Sequence, residues 1–163
     1  MEMLRRSRRL SSWLTIVAAS LGILVSPLLA KGTLDIVATF QQANLQLDVA
    51  TFADAEAKIG LLGMKAGPVR ISYAFTSDTW PKLTDLVAKA ARAQSTGGNW
   101  TVIGAMTETE SDDHSHLVVS AGPGIRFALS SPKKAGLTYV LATGDTPRFQ
   151  QGLARVKEFL AAH

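Results

Sequence analysis

The chain has 163 residues, with 17 Lys plus Arg, 13 Asp plus Glu and no cysteine. The lack of cysteine excludes disulfides, thiol catalysis, thiolate metal sites and a lipid-modified cysteine, so outside the cytoplasm the fold has to rest on packing alone. A net charge of +4 suggests a polyanion partner, but Arg5, Arg6, Arg8 and Arg9 stand together near the N-terminus with only Glu2 against them; beyond residue 30 the balance is 13 − 12 = +1, too little to define a nucleic-acid binder.

The arginine head is followed by Leu14–Leu29, sixteen residues without a charge. A cationic head and an apolar stretch form the pattern of a secretory signal peptide, and Ala30 supplies the small residue wanted before a cleavage site, although Leu28 is bulkier than usual two positions earlier. A spanning helix needs about 20 apolar residues, and this run is shorter and interrupted by Pro27. A cleaved signal (residues 1–30) is therefore favoured over an uncleaved membrane anchor. Ser7-Arg8-Arg9 is similar to a twin-arginine signal, but Ser11 and Ser12 stand where that signal wants apolar side chains. A mitochondrial presequence would be amphipathic, whereas this stretch is apolar on every side. The expectation is bacterial export, periplasmic or secreted, with membrane contact only through the leader. The working protein then starts near Lys31 and has the size of one domain.

Strands are predicted near 34–40, 45–53, 57–63 and 69–76, the last with Val69, Ile71, Tyr73 and Phe75 alternating onto one face. A helix follows, capped at Asp78 or Thr79, with Pro81 in its first turn and Leu83, Leu86, Val87 and Ala90 as its apolar stripe. Arg92–Asn99 reads as a linker because Gly97 and Gly98 end the helix. The second half predicts strands near 99–107, 114–121, 124–130 and 137–142, with a tight turn at Ala121-Gly122-Pro123-Gly124. The last helix has Thr146 as its cap, Pro147 opening it, and Phe149, Leu153, Val156 and Leu160 on one side. Lys65-Ala66-Gly67 with Asp78, and Lys134-Ala135-Gly136 with Asp145, mark an internal duplication with offsets of 69 and 67.

The fold class is therefore α+β: duplicated ββββα halves, about 31–96 and 97–163, forming one domain whose antiparallel sheet or sheets are each covered by a helix. This element order resembles, at the level of topology, the Whirly and Pur-type single-stranded nucleic-acid binders. The resemblance implies single-stranded nucleic acid as a partner, against which stand the near-neutral charge beyond residue 30 and the expected export.

One segment carries site chemistry: Glu108-Thr109-Glu110-Ser111-Asp112-Asp113-His114-Ser115-His116. If its end is extended, His114 and His116 point the same way and, with Asp112 and Asp113, make a candidate Zn²⁺ or Cu²⁺ site. No C-x-x-C or H-E-x-x-H spacing supports it, and a hydrated loop tip explains the same residues. Calcium ranks lower because the glycine-punctuated aspartate loop is missing. No G-x-S-x-G elbow occurs, and His163 is terminal. Asp78 and Asp145 read as helix caps before they read as a carboxylate dyad. Lys65 and Lys134 read as solvated turn lysines before an anion site, and Trp80 and Trp100 as core anchors before stacking platforms. The functional expectation is an exported, non-enzymatic domain that binds a protein, an envelope component or a small ligand, without a cofactor; the alternative is a metal-binding protein or metal-dependent enzyme that holds zinc or copper at Asp112-Asp113-His114-Ser115-His116.

Overall fold

Eight strands form, most from period-two patterning and one from a continuous apolar run, and the two apolar stripes produce two helices. In chain order these are β1 (Thr33–Gln42), β2 (Leu45–Ala53), β3 (Lys58–Ala66), β4 (Val69–Phe75), α1 (Trp80–Arg92), β5 (Thr101–Thr107), β6 (His116–Ala121), β7 (Gly124–Ser131), β8 (Lys134–Ala142) and α2 (Thr146–Ala161), the last entered through a single 3₁₀ turn at Thr143–Asp145. The computed structural model describes residues 32–108 and 114–162. The leader therefore lies outside the described residues, as do Asp112 and Asp113. Among the described residues no helix is long and apolar enough to cross a membrane.

Each half is an antiparallel meander, β1-β2-β3-β4 and β5-β6-β7-β8, as expected of strands joined by short turns. The duplication is clearest in the strand register. In the first sheet Ala38, Val49, Leu62 and Tyr73 form one cross-strand row. In the second, Gly104, Val119, Phe127 and Tyr139 form the matching row. A bulge precedes the row in each first strand, at Val37 and at Ile103. These bulges, the row ends Tyr73 and Tyr139, and the helix-opening Pro81 and Pro147 are all 66 positions apart. This corrects the alignment by Lys-Ala-Gly: Lys65 lies near the end of β3, before its turn, whereas Lys134 begins β8, after its turn. The tripeptides are a coincidence of composition, because strand pairing sets equivalence.

Each sheet is covered by a helix, but the helices are exchanged between the halves. Helix α1 packs on β5, β6 and β7, and α2 packs on β1, β2 and β3. Strand β4 is the edge of its sheet and lies against β7 and β8, so the chain leaves it at the seam and its helix settles on the neighbouring sheet. Glycines permit the close approach. A Cβ on Gly60 would stand 2.7 Å from Val156 of α2 and from the Trp80 ring, and one on Gly104 would stand 2.5 Å from Leu86 of α1. A main apolar core shared by both halves results, running from Phe40, Leu47 and Val49 through Trp80, Leu83 and Val87 to Phe127, Leu141, Phe149 and Val156. Neither half can bury its sheet face without the other.

The expected stripes hold. Leu83, Val87 and Ala90 are buried on α1, and Phe149, Leu153 and Val156 on α2, with Leu86 and Leu160 partly buried against the core. The expected caps do not. Thr79 precedes α1, but its hydroxyl accepts from the Thr76 amide at 2.9 Å instead of from a helix amide. Asp145, not Thr146, precedes α2, and it makes no side-chain cap bond. Both residues have helical backbone angles, which turn the side chain away from the amides that an extended cap residue would reach.

Candidate functional site

The β5–β6 connection carries the residues expected to bind metal. Pairing resumes at His116, opposite Thr107, and the His116 Nδ1 lies 2.8 Å from the Thr107 hydroxyl. His114 is exposed with φ 41°, in the left-handed region. The extended backbone stops short of it, so strand alternation does not bring it beside His116. Among the described residues no group of three or more His, Asp or Glu is placed to hold a metal ion. Glu108 departs from the hydrated-tip expectation. It is 8% exposed, next to buried Ser115, whose carbonyl accepts its amide at 2.9 Å. Burial, helped by the Glu108 carboxylate, pushes the Tyr73 phenol up to about 12.

Of the two tryptophans expected to anchor the core, Trp80 does so and Trp100 is not among the core residues. Trp80 is 1% exposed, donates from Nε1 to the Leu153 carbonyl at 3.1 Å and stands edge-on to Phe75, tying α1 to α2. Trp100 is half-buried under the Arg126 guanidinium, 4.7 Å above its ring.

A groove that the sequence did not single out lies between β1 and α2. It has a volume of about 390 Å³ and is lined by Ile36, Val37, Ala38 and Thr39 on one wall and Arg148, Gln151, Gly152 and Arg155 on the other. Ile36, paired with Ala50 just before the Val37 bulge, is 47% exposed, and small Gly152 opposite Ala38 lets the helix come near. Positions 148, 151, 152 and 155 share one face of α2 by helical geometry. The Arg148 guanidinium donates to the Thr39 carbonyl and lies 4.5 Å above the Phe40 ring, which holds it at the mouth. No acidic side chain lines the groove, and β1 has no strand on its outer side among the described residues.

The pseudo-equivalent place in the other half differs in charge. With the same 66-residue offset, Lys82, Asp85 and Lys89 of α1 correspond to Arg148, Gln151 and Arg155 of α2. Lys89 is paired with Asp85 at 2.8 Å, whereas Gln151 offers no charge to Arg155. The scaffold is duplicated; the cationic face is not. No protein-family model matches the chain, and no curated protein matches it, so the likeness to Whirly and Pur-type binders rests on element order.

Proposed function

We propose that the protein is an exported binding domain that takes an anionic, extended ligand, an acidic peptide segment, in the groove between β1 and α2. The observation that carries this reading is the pairing of an open strand edge with two guanidinium groups and no acid. An open edge offers main-chain donors and acceptors to an added strand. Arg148 and Arg155 offer planar, permanently charged forks that suit carboxylates, and exposed Ile36 offers an apolar contact for an alternate side chain. Export is supported by the arginine head and the uncharged Leu14–Leu29 stretch. The balance of +1 beyond residue 30 supports a short acidic segment over a nucleic-acid strand, whose binding rests on many cationic contacts.

Titrating the protein with labelled peptides that alternate acidic and β-branched residues tests the reading. Binding that weakens as salt rises, with little for a basic peptide of the same length, is expected. Equal binding of acidic and basic peptides, or tighter binding of a single-stranded oligonucleotide than of the acidic peptide, would overturn it.

A further inference from the structure

The first sheet is buried on both sides, and only one side belongs to the main core. Strand β3 reads Ile59-Gly60-Leu61-Leu62-Gly63-Met64 without a polar interruption, the pattern of a strand with no solvated face. Its counterpart β7 alternates instead, placing Arg126, Ala128 and Ser130 outward. On the outer side of the first sheet Ala50, Phe52, Ile59 and Leu61 form a second cluster, each 2–3% exposed, with Leu34 and Ala74 against it. All six belong to the sheet itself. Among the described residues, no apolar side chain from outside the sheet joins the cluster. Asp48 bounds it at one end, accepting from Thr39 at 2.7 Å and from Gln46 at 3.0 and 2.7 Å.

The chain reaches this face at Gly32, where a Cβ would stand 2.5 Å from the Phe52 ring atom Cε2. Only Ala30 and Lys31 separate Gly32 from the uncharged stretch Leu14–Leu29. We propose that the outer face of the first sheet is the docking surface for that stretch of the same chain. Sixteen residues reach about 24 Å even when helical, more than the ~14 Å between the outermost of four strands. The two-residue tether makes docking intramolecular, at an effective concentration of order mM. A segment that is apolar on all sides and the apolar patch of this face, bounded by Asp48, then satisfy each other. Cleavage after Ala30 removes the occupant, so maturation opens an apolar surface that the precursor keeps covered.

The experiment uses the full chain with Met1 verified by mass, carrying a photo-crosslinking residue at Ile59, with the same probe at Ser130 on the outer side of the second sheet as control. Cross-linked peptides joining residue 59 to residues 14–29 within one chain are expected, and none from residue 130. A cross-linked dimer, cross-links from residue 59 only to other residues of the sheet, or no cross-link in a chain whose circular dichroism is unchanged would each overturn the proposal. If the probe at Ile59 prevents folding, Ala74 at the rim of the same face takes its place under the same criteria. The outcome is independent of the β1–α2 groove, which peptide titration tests separately.

Discussion

Phe149 is the residue on which the exchange of helices can be measured. It projects from α2 and is fully buried. Its ring centroid lies 5.5 Å from that of Phe40 on β1 and 5.1 Å from that of Phe127 on β7. One partner belongs to each sheet. Phe149→Ala removes the apolar burial and leaves a cavity between two sheets that cannot both close on it, a cost of about 3–5 kcal/mol. The two ring pairs place the value toward the upper end, because each is worth roughly 0.5–1.5 kcal/mol beyond area burial. Against a total of about 5–15 kcal/mol for a domain, the variant should still fold but lose a large part of its stability. Urea unfolding followed by both tryptophan fluorescence and circular dichroism measures it, and the two transitions should coincide because the core is continuous. A loss under ~1 kcal/mol, or a biphasic transition in which one half melts alone, would refute the reasoning.

Three further outcomes follow from the same structure. Gly60→Ala should cost about 1–3 kcal/mol by overpacking, since its Cβ would meet Trp80 and Val156 at 2.7 Å; the midpoint of denaturant unfolding checks this. Tyr73 has a phenol raised from 10.0 to about 12, so the folded state holds a proton that the unfolded chain loses. Its contribution is intact below pH 10 and falls by about 1.4 kcal/mol per pH unit as pH rises from 10 towards 12, which a melting series over that range should show and Tyr73→Phe should blunt. Zn²⁺ added to the full chain should leave the melting temperature unchanged, and His114→Ala should make no difference. A metal-dependent rise would instead establish a site at His114, His116, Asp112 and Asp113.

The strands and helices were legible because local pattern and final environment agree in most of them. Val69–Phe75 alternates and is paired as it reads, and Phe149, Leu153 and Val156 are buried along one stripe. What could not be read is non-local. Nothing in Trp80–Arg92 says which sheet its stripe will meet, because Leu83 and Val87 suit either apolar face. The caps failed for a local reason: a threonine or aspartate before a helix caps only if its backbone is extended, and those of Thr79 and Asp145 are helical. The groove escaped notice because Thr39 and Arg148 are 109 residues apart. Arg148, Gln151 and Arg155 could have been seen as one polar face of the last helix, but the β1 bulge opposite leaves no mark in sequence. The unbroken apolar run of β3 was a readable sign of a face buried on both sides.

The most direct test of the binding account exploits the duplication itself. The affinity of one acidic, alternating peptide should be measured against Arg155→Ala and against Lys89→Ala, the pseudo-equivalent position, where Asp85 already neutralises the charge. Losing an uncompensated guanidinium at the groove should weaken binding about tenfold, as expected for one charge-assisted contact worth roughly 1.5 kcal/mol, while Lys89→Ala should leave the affinity unchanged. Equal effects from the two substitutions, or none from Arg155→Ala, would contradict a site between β1 and α2.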